Sequence, residues 1–139
     1  MRKIIFLLLL TIASCGERES GSKTKVEAPS FNAPAGYTSE EYFAGLKPKA
    51  ESGDARSQMA LAKLYYNGDG VAKDDAKAAE WYRKAAEQGN ALAQYKLGAM
   101  YDKGEGVPKD AAKAVEWWKK AAAQGDEASQ ESLKQLPGK

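Results

Sequence analysis

The chain has 139 residues, of which 29% are charged and 43% are hydrophobic. This size fits one small domain with tails and excludes a two-domain enzyme. Histidine is absent and cysteine occurs once, at Cys15, which excludes Ser-His-Asp and Cys-His triads, zinc sites with two or more His or Cys ligands, and internal disulfides. Without Arg2 and Lys3, which lie in the leader described next, the 21 basic residues become 19 and balance the 19 acidic ones. A neutral chain has no basic patch for phosphates, so no nucleic acid partner is expected.

Residues 1–14 have the pattern of a secretory signal peptide. Arg2 and Lys3 form a charged start, nine apolar or near-apolar residues run from Ile4 to Ile12, and two small residues precede Cys15. A membrane-spanning helix needs roughly 20 apolar residues, and no other uncharged apolar stretch of that length occurs in the chain. We therefore expect a leader that is removed and a domain that does not cross the membrane.

The residues around the cysteine resemble a bacterial lipobox, in which an aliphatic residue and two small ones precede a cysteine: Ile12-Ala13-Ser14-Cys15. The resemblance implies lipidation of Cys15, cleavage before it and a membrane anchor made of several acyl chains. Gly16, in place of the aspartate that favours retention in the inner membrane, implies the outer membrane, facing the periplasm. The alternative is an ordinary secretory peptide with an unrelated cysteine.

Residues 15–37 read as a lipidated cysteine followed by a disordered tether. The segment is rich in Ser, Gly, Pro, Lys and Glu and has no apolar period; Val26 and Phe31 are its large apolar residues. A flexible chain of this length has a root-mean-square reach of about 25 Å. The tether is therefore long enough to hold the domain away from lipid head groups.

Residues 53–88 and 89–124 are two copies of one unit. Shifted by 36 residues, the chain aligns with itself without a gap and gives 19 identities in 36. The identical pairs include Gly68 with Gly104, Asp74 with Asp110, and Trp81 with Trp117. A period of this length indicates one supersecondary unit stacked on its own copy.

Each copy contains two amphipathic helical patterns. In the first, apolar and small residues recur at i, i+4, i+7 and i+8, as at Ala93, Leu97, Met100 and Tyr101. The second has the wider stripe of a buried helix face, Ala78, Trp81, Tyr82, Ala85 and Ala86, repeated as Ala114, Trp117, Trp118, Ala121 and Ala122. We expect Gly68 and Gly104 to end the first helices, and Asp74 and Asp110 to cap the second. Each unit is thus predicted to be an antiparallel helix pair.

These residues resemble the Sel-one-like repeat, a relative of the tetratricopeptide repeat. The resemblance covers about Tyr42 to Leu136 and rests on three motifs: Ala93-x-Gln94-x-x-Leu97-Gly98-x-x-Tyr101, then Gly104-x-Gly106-Val107 with Asp110, then Lys113-Ala114, Trp117-Trp118, Ala121-Ala122 and Gly125. The first copy departs at Ser57 and Ala62, where the motif has alanine and glycine. The resemblance implies an all-α fold, a short α/α solenoid of antiparallel helix pairs.

Two full repeats are fewer than such arrays need for stability, so half-repeats are expected to close both ends. Residues 125–136 continue the first-helix pattern, with Glu127 and Glu131 as polar substitutions suited to a cap. Residues 38–52 occupy the second-helix position and open with a Thr38-x-x-Glu41 capping box. Pro48 predicts a kink there, or two short pieces. Residues 38–139 form the repeat domain.

The sequence offers no catalytic residue, metal site or cofactor site. The loops Gly68-Asp69-Gly70 and Gly104-Glu105-Gly106 follow no strand, and their oxygen ligands stop at a valine, so turns are predicted in place of phosphate or calcium sites. Asp74-Asp75 is not repeated as a pair in the second copy, which favours a helix cap beside a surface charge.

By resemblance to tetratricopeptide repeats, a partner would bind the concave face formed by the first helices. The inward positions there are Arg56, Met59, Lys63, Tyr66, Leu92, Tyr95, Ala99 and Asp102. They mostly differ between the copies, as a recognition surface allows, although a merely solvated surface would vary equally. Together they predict an apolar, partly charged groove for a protein or peptide.

The predicted function is a monomeric, lipid-anchored adaptor that binds a protein at the cell envelope. The alternative is an immunity protein that neutralises a secreted antibacterial effector. An envelope hydrolase is a third class, and it is disfavoured because no base, metal cluster or activated nucleophile can be assembled from these residues.

Overall fold

The computed structural model describes residues 34–137, which form six α-helices and no strand. Their bounds are α1 Ser39–Glu51, α2 Ala55–Asn67, α3 Asp75–Glu87, α4 Ala91–Lys103, α5 Ala111–Ala123 and α6 Glu127–Gln135. Each helix packs mainly on its neighbours in the chain. The all-α solenoid is therefore confirmed, with α2–α3 and α4–α5 as the two full helix pairs.

The predicted signal peptide, Cys15 and most of the predicted tether lie outside the described residues. Of that tether, residues 34–37 are exposed and make a turn in which the Tyr37 N–H donates to the carbonyl of Pro34 over 3.2 Å. Helix α1 begins two residues later.

Every helix starts at a side chain that accepts a hydrogen bond from a backbone N–H three residues on. Short polar side chains at this position satisfy one of the amide groups that have no partner inside the helix. The caps are Thr38, Asp54, Asp74, Asn90, Asp110 and Asp126. The Thr38–Glu41 capping box and the caps at Asp74 and Asp110 agree with the sequence prediction.

The glycine loops between the paired helices contact the preceding repeat. Gly68 and Gly104 end α2 and α4 in the left-handed conformation, as predicted. A Cβ on Gly106 would lie 2.1 Å from the carbonyl oxygen of Asp75, and one on Gly70 would lie 2.4 Å from that of Ser39. Only glycine fits where a loop rests on the start of the preceding second helix.

The core consists mainly of leucines and alanines from α1 to α5, with Tyr65, Tyr82, Tyr101 and Trp118 as its large aromatic members. Trp81 and Trp117 pack against the core, but they are less buried than their place on the predicted buried face implies. Both are half-buried at the edge of the core, with Lys84 Nζ 4.0 Å and Lys120 Nζ 4.2 Å from the ring centroids. Consecutive residues of a helix point about 100° apart, so Tyr82 and Trp118 take the central positions.

Pro48 does not divide the first helix into two pieces, which is one of the two alternatives that the sequence predicts. Helix α1 continues through Pro48 to Glu51. Proline removes the one hydrogen bond that its N–H would donate to the carbonyl of Ala44. Both residues are exposed, so water can reach that carbonyl, and the disruption is confined to the last turn.

Candidate functional site

A groove of about 630 Å³ runs between the two first helices, α2 and α4. Six of the eight predicted concave-face residues line it: Met59, Lys63, Tyr66, Leu92, Tyr95 and Ala99. Leu92 is 46% exposed, which is unusual for a large apolar side chain in this domain. The structure thus brings most of the predicted surface together in one place.

Arg56 and Asp102 are not among the residues that line the groove. Arg56 is exposed in the first turn of α2, and Asp102 is partly buried near the end of α4. Position along the helix does not explain their absence, since Asn67 and Lys103, the last residues of α2 and α4, do line the groove.

Sequence reasoning missed several lining residues. Ala60, Asn67, Lys96, Met100 and Lys103 also line the groove from α2 and α4. They lie one, three or four residues from predicted ones, so a wider helical stripe would have included them. Tyr82 and Glu105 come from α3 and from the loop after α4, and no first-helix pattern could have indicated them.

One end of the groove is closed by a hydrogen bond between the two repeats. The Tyr66 hydroxyl donates to Glu105 Oε2 over 2.9 Å. This hydrogen bond to the carboxylate, together with partial burial, raises the pKa of Tyr66 above its usual value. Lys73 donates to the Tyr66 carbonyl over 3.0 Å, and its ammonium lies 4.8 Å from the centroid of the Tyr66 ring. These contacts hold Tyr66 in a fixed orientation.

The floor of the groove includes Tyr82, which is only 4% exposed. Burial raises the pKa of Tyr82 to about 12, so the phenol is protonated at neutral pH. Its counterpart in the second copy, Trp118, donates from Nε1 to the Tyr95 carbonyl over 3.2 Å. This bond ties α5 to the α4 side of the groove.

The acidic residues considered for catalysis have structural roles. Asp74 caps α3 by accepting from the N–H of Lys77 over 3.0 Å, and Asp75 pairs with Lys73 at 3.0 Å. Between residues 34 and 137, no three His, Cys, Asp or Glu side chains cluster as metal ligands. No helix in that range has the length and apolar character needed to cross a membrane.

Solved structures with this fold come from several bacteria. The chain aligns with a protective antigen of uropathogenic Escherichia coli that has an SLR fold, at TM-score 0.68 and 36% identity, over 69% of this chain and 21% of that one. It aligns with a Sel1 repeat protein from Oxalobacter formigenes at TM-score 0.66 and 44% identity, over 68% of this chain and 71% of that one. Cysteine rich protein B of Helicobacter pylori gives TM-score 0.65 and 29% identity, over 68% and 71% of the two chains.

A match at the sequence level connects the chain to a much longer protein. It is 50% identical over 40 residues to the secretory immunoglobulin A-binding protein EsiB of Escherichia coli, which is 29% of this chain and 8% of that relative. The match therefore covers a minor part of each protein.

The family model of the Sel1 repeat matches residues 55–90 and 91–126. These ranges have the same 36-residue length as the predicted repeats and begin two residues later. The Sel1-repeat fold generally mediates protein–protein interaction, and its members are typically non-enzymatic. With two matched repeats and a solenoid that superposes on solved members, this chain belongs to the Sel1 repeat family.

Proposed function

We propose that the chain is a non-enzymatic adaptor that holds a segment of a partner protein in the groove between α2 and α4. The observation that carries the proposal is the groove itself, because it combines apolar side chains with charged ones at its margin. Met59, Leu92 and Tyr95 provide the apolar surface. A partner that covers this surface removes it from water, which favours association. Leu92 in particular is too exposed to serve the core.

The adaptor is lipid-anchored at Cys15 in the bacterial envelope, and this part of the proposal rests on the lipobox resemblance alone. Two relatives support exposure to other proteins: one is named for binding secretory immunoglobulin A and another is described as a protective antigen. Replacement of Cys15 by alanine should move the protein from the membrane fraction to the soluble fraction. Continued sedimentation of the Cys15→Ala protein with membranes would refute the anchor.

The groove is tested by site-specific photo-crosslinking in living cells. A photoreactive amino acid at position 92 of the full-length protein should crosslink to one protein, and the same group at Lys119, an exposed α5 residue outside the groove, should not. Met59→Ala with Tyr95→Ala should weaken the crosslink at position 92. Equal crosslinking from positions 92 and 119, or none from position 92, would contradict the proposal. A secreted effector as the crosslinked protein would assign the immunity role.

A further inference from the structure

Tyr82 places a hydroxyl group in the floor of the groove. Among residues 34–137, no backbone or side-chain group forms a hydrogen bond with this hydroxyl, although the residue is only 4% exposed. The hydroxyls of Tyr66 and Tyr101 are already engaged: Tyr66 donates to Glu105, and Tyr101 accepts from Arg83 over 3.1 Å. The enclosed side-chain polar atom without a partner in residues 34–137 is Ser129 Oγ, so the Tyr82 hydroxyl retains access to the groove, where it can donate to a ligand.

The charges around the groove indicate the sign of that partner. Three lysines line it, Lys63, Lys96 and Lys103, against a single carboxylate, Glu105. That carboxylate already accepts the hydrogen bond from Tyr66. Basic side chains around a concave apolar surface attract acidic ligands and repel basic ones.

We propose that the groove binds an acidic peptide segment, in which a carboxylate accepts a hydrogen bond from the Tyr82 hydroxyl while an apolar neighbour packs on Met59 and Leu92. The proposal rests on the proposed function and specifies the chemistry of its partner. Tyr82 supplies a short-range donor at the floor. Lys96 and Lys103, both on α4, supply positive charge along the same wall.

The phenol suits this role because it remains a donor at neutral pH. Its pKa is raised to about 12 by burial, so a carboxylate placed beside it would meet a neutral O–H group. Hydrogen bonds to charged groups are stronger than those between neutral groups. Removal of this one donor should therefore weaken binding of an acidic ligand and leave a neutral one almost unaffected.

The test uses three fluorescein-labelled ten-residue peptides with the same Leu-Val-Leu centre, flanked by glutamate, glutamine or lysine. Each is titrated by fluorescence anisotropy against the full-length protein. The glutamate peptide should bind roughly tenfold more tightly than the glutamine peptide, and the lysine peptide should bind least. The preference for glutamate should shrink as salt is raised, since screening weakens exposed charge interactions.

Two sets of variants identify the residues that cause the preference for the glutamate peptide. Tyr82→Phe should weaken the glutamate peptide roughly five- to tenfold and leave the glutamine peptide unchanged. Tyr101→Phe is the matched control, because that hydroxyl bonds Arg83 and the residue does not line the groove. Lys96→Gln with Lys103→Gln should also weaken the glutamate peptide, whereas Lys119→Gln should not.

Specific outcomes overturn the inference. Equal binding of the glutamate and glutamine peptides, tighter binding of the lysine peptide, or an unchanged affinity in Tyr82→Phe would each do so. Absence of binding to all three peptides would also overturn it. Crosslinking at position 92 is independent of these peptides, so failure of the acidic specificity is distinguishable from failure of the proposed function. Circular dichroism of Tyr82→Phe verifies that the variant is folded.

Discussion

At the scale of single residues, the two copies fill the same space between neighbouring helices with different pairs of side chains. In the second copy Gly98 packs against Trp118, and a Cβ on Gly98 would lie 2.6 Å from the indole Cδ1 and Nε1. In the first copy the same positions hold Ala62, which is larger than glycine, and Tyr82, which is smaller than tryptophan. Dense core packing requires such compensation.

We expect Gly98→Ala to lower the free energy of unfolding by about 1–3 kcal/mol, because the added methyl group must displace a buried indole. This loss should outweigh the gain of about 1 kcal/mol in helix propensity. Urea denaturation followed by circular dichroism measures the difference.

Gly45→Ala in α1 is the matched control, since a Cβ there has no atom within 4 Å. It should raise stability by roughly 0.5–1 kcal/mol. Adding Trp118→Tyr to Gly98→Ala recreates the pairing of the first copy and should recover part of the loss. A Gly98→Ala protein as stable as wild type would contradict the packing argument.

At the scale of helices, buried glutamines join each repeat to the one before it. Gln94 Nε2 donates to the Ala86 carbonyl over 3.0 Å, and Gln124 Nε2 donates to Gln94 Oε1 over 2.9 Å. Gln58 makes the same two connections in the first copy, with Ala50 and Gln88. A single side chain thus connects three successive helices.

Gln94→Ala should lower the free energy of unfolding by about 1–3 kcal/mol, because it removes two hydrogen bonds of a buried side chain, although the Ala86 carbonyl keeps the Gly89 N–H as a donor. Gln130→Ala removes the equivalent bond to the Ala122 carbonyl at the exposed end of the array. There, water replaces the partner, and the change should stay within about 0.5 kcal/mol. Denaturant midpoints of the two variants provide the comparison, and equal losses would refute the distinction.

At the scale of the whole molecule, burial of Tyr82 makes stability depend on alkaline pH. The pKa of Tyr82 is raised to about 12 in the folded protein, against about 10 in an unfolded chain. Below pH 10 the phenol is protonated in both states, and its contribution to stability is fully present. As pH rises from about 10 towards 12, only the unfolded state loses the proton, so the contribution is lost.

Wild type should therefore lose about 2 kcal/mol relative to Tyr82→Phe between pH 9.5 and 12. Urea midpoints of both proteins across this range measure the effect. Tyr37→Phe changes an exposed tyrosine and controls for the loss of a tyrosine. Its urea midpoints should fall with pH as those of wild type do. Parallel curves for wild type and Tyr82→Phe would show that the buried phenol does not drive the alkaline loss.

The candidate site could be predicted from the sequence only in part. Helical periodicity identified Met59, Leu92 and Tyr95, because residues on one face of a helix recur at known spacings. It could not identify Tyr82, which reaches the groove from the second helix of the first pair, nor Glu105, which belongs to a loop. Arg56 and Asp102 share the predicted face but do not line the groove, since periodicity gives an approximate angle around one helix and not how a side chain meets the facing helix.

The sequence by itself determined the repeat, the helix pairs, their caps and their glycine turns, because these depend on interactions within a few residues of the chain. Tertiary structure alone decided which of two adjacent aromatic residues entered the core: Tyr82 and Trp118 did, while Trp81 and Trp117 stayed at its edge. It also decided that Pro48 could remain within α1 and that the Tyr82 hydroxyl would have no partner among residues 34–137. These outcomes depend on how far and at what angle one helix packs on the next, and that geometry is set by side chains from different parts of the chain acting together.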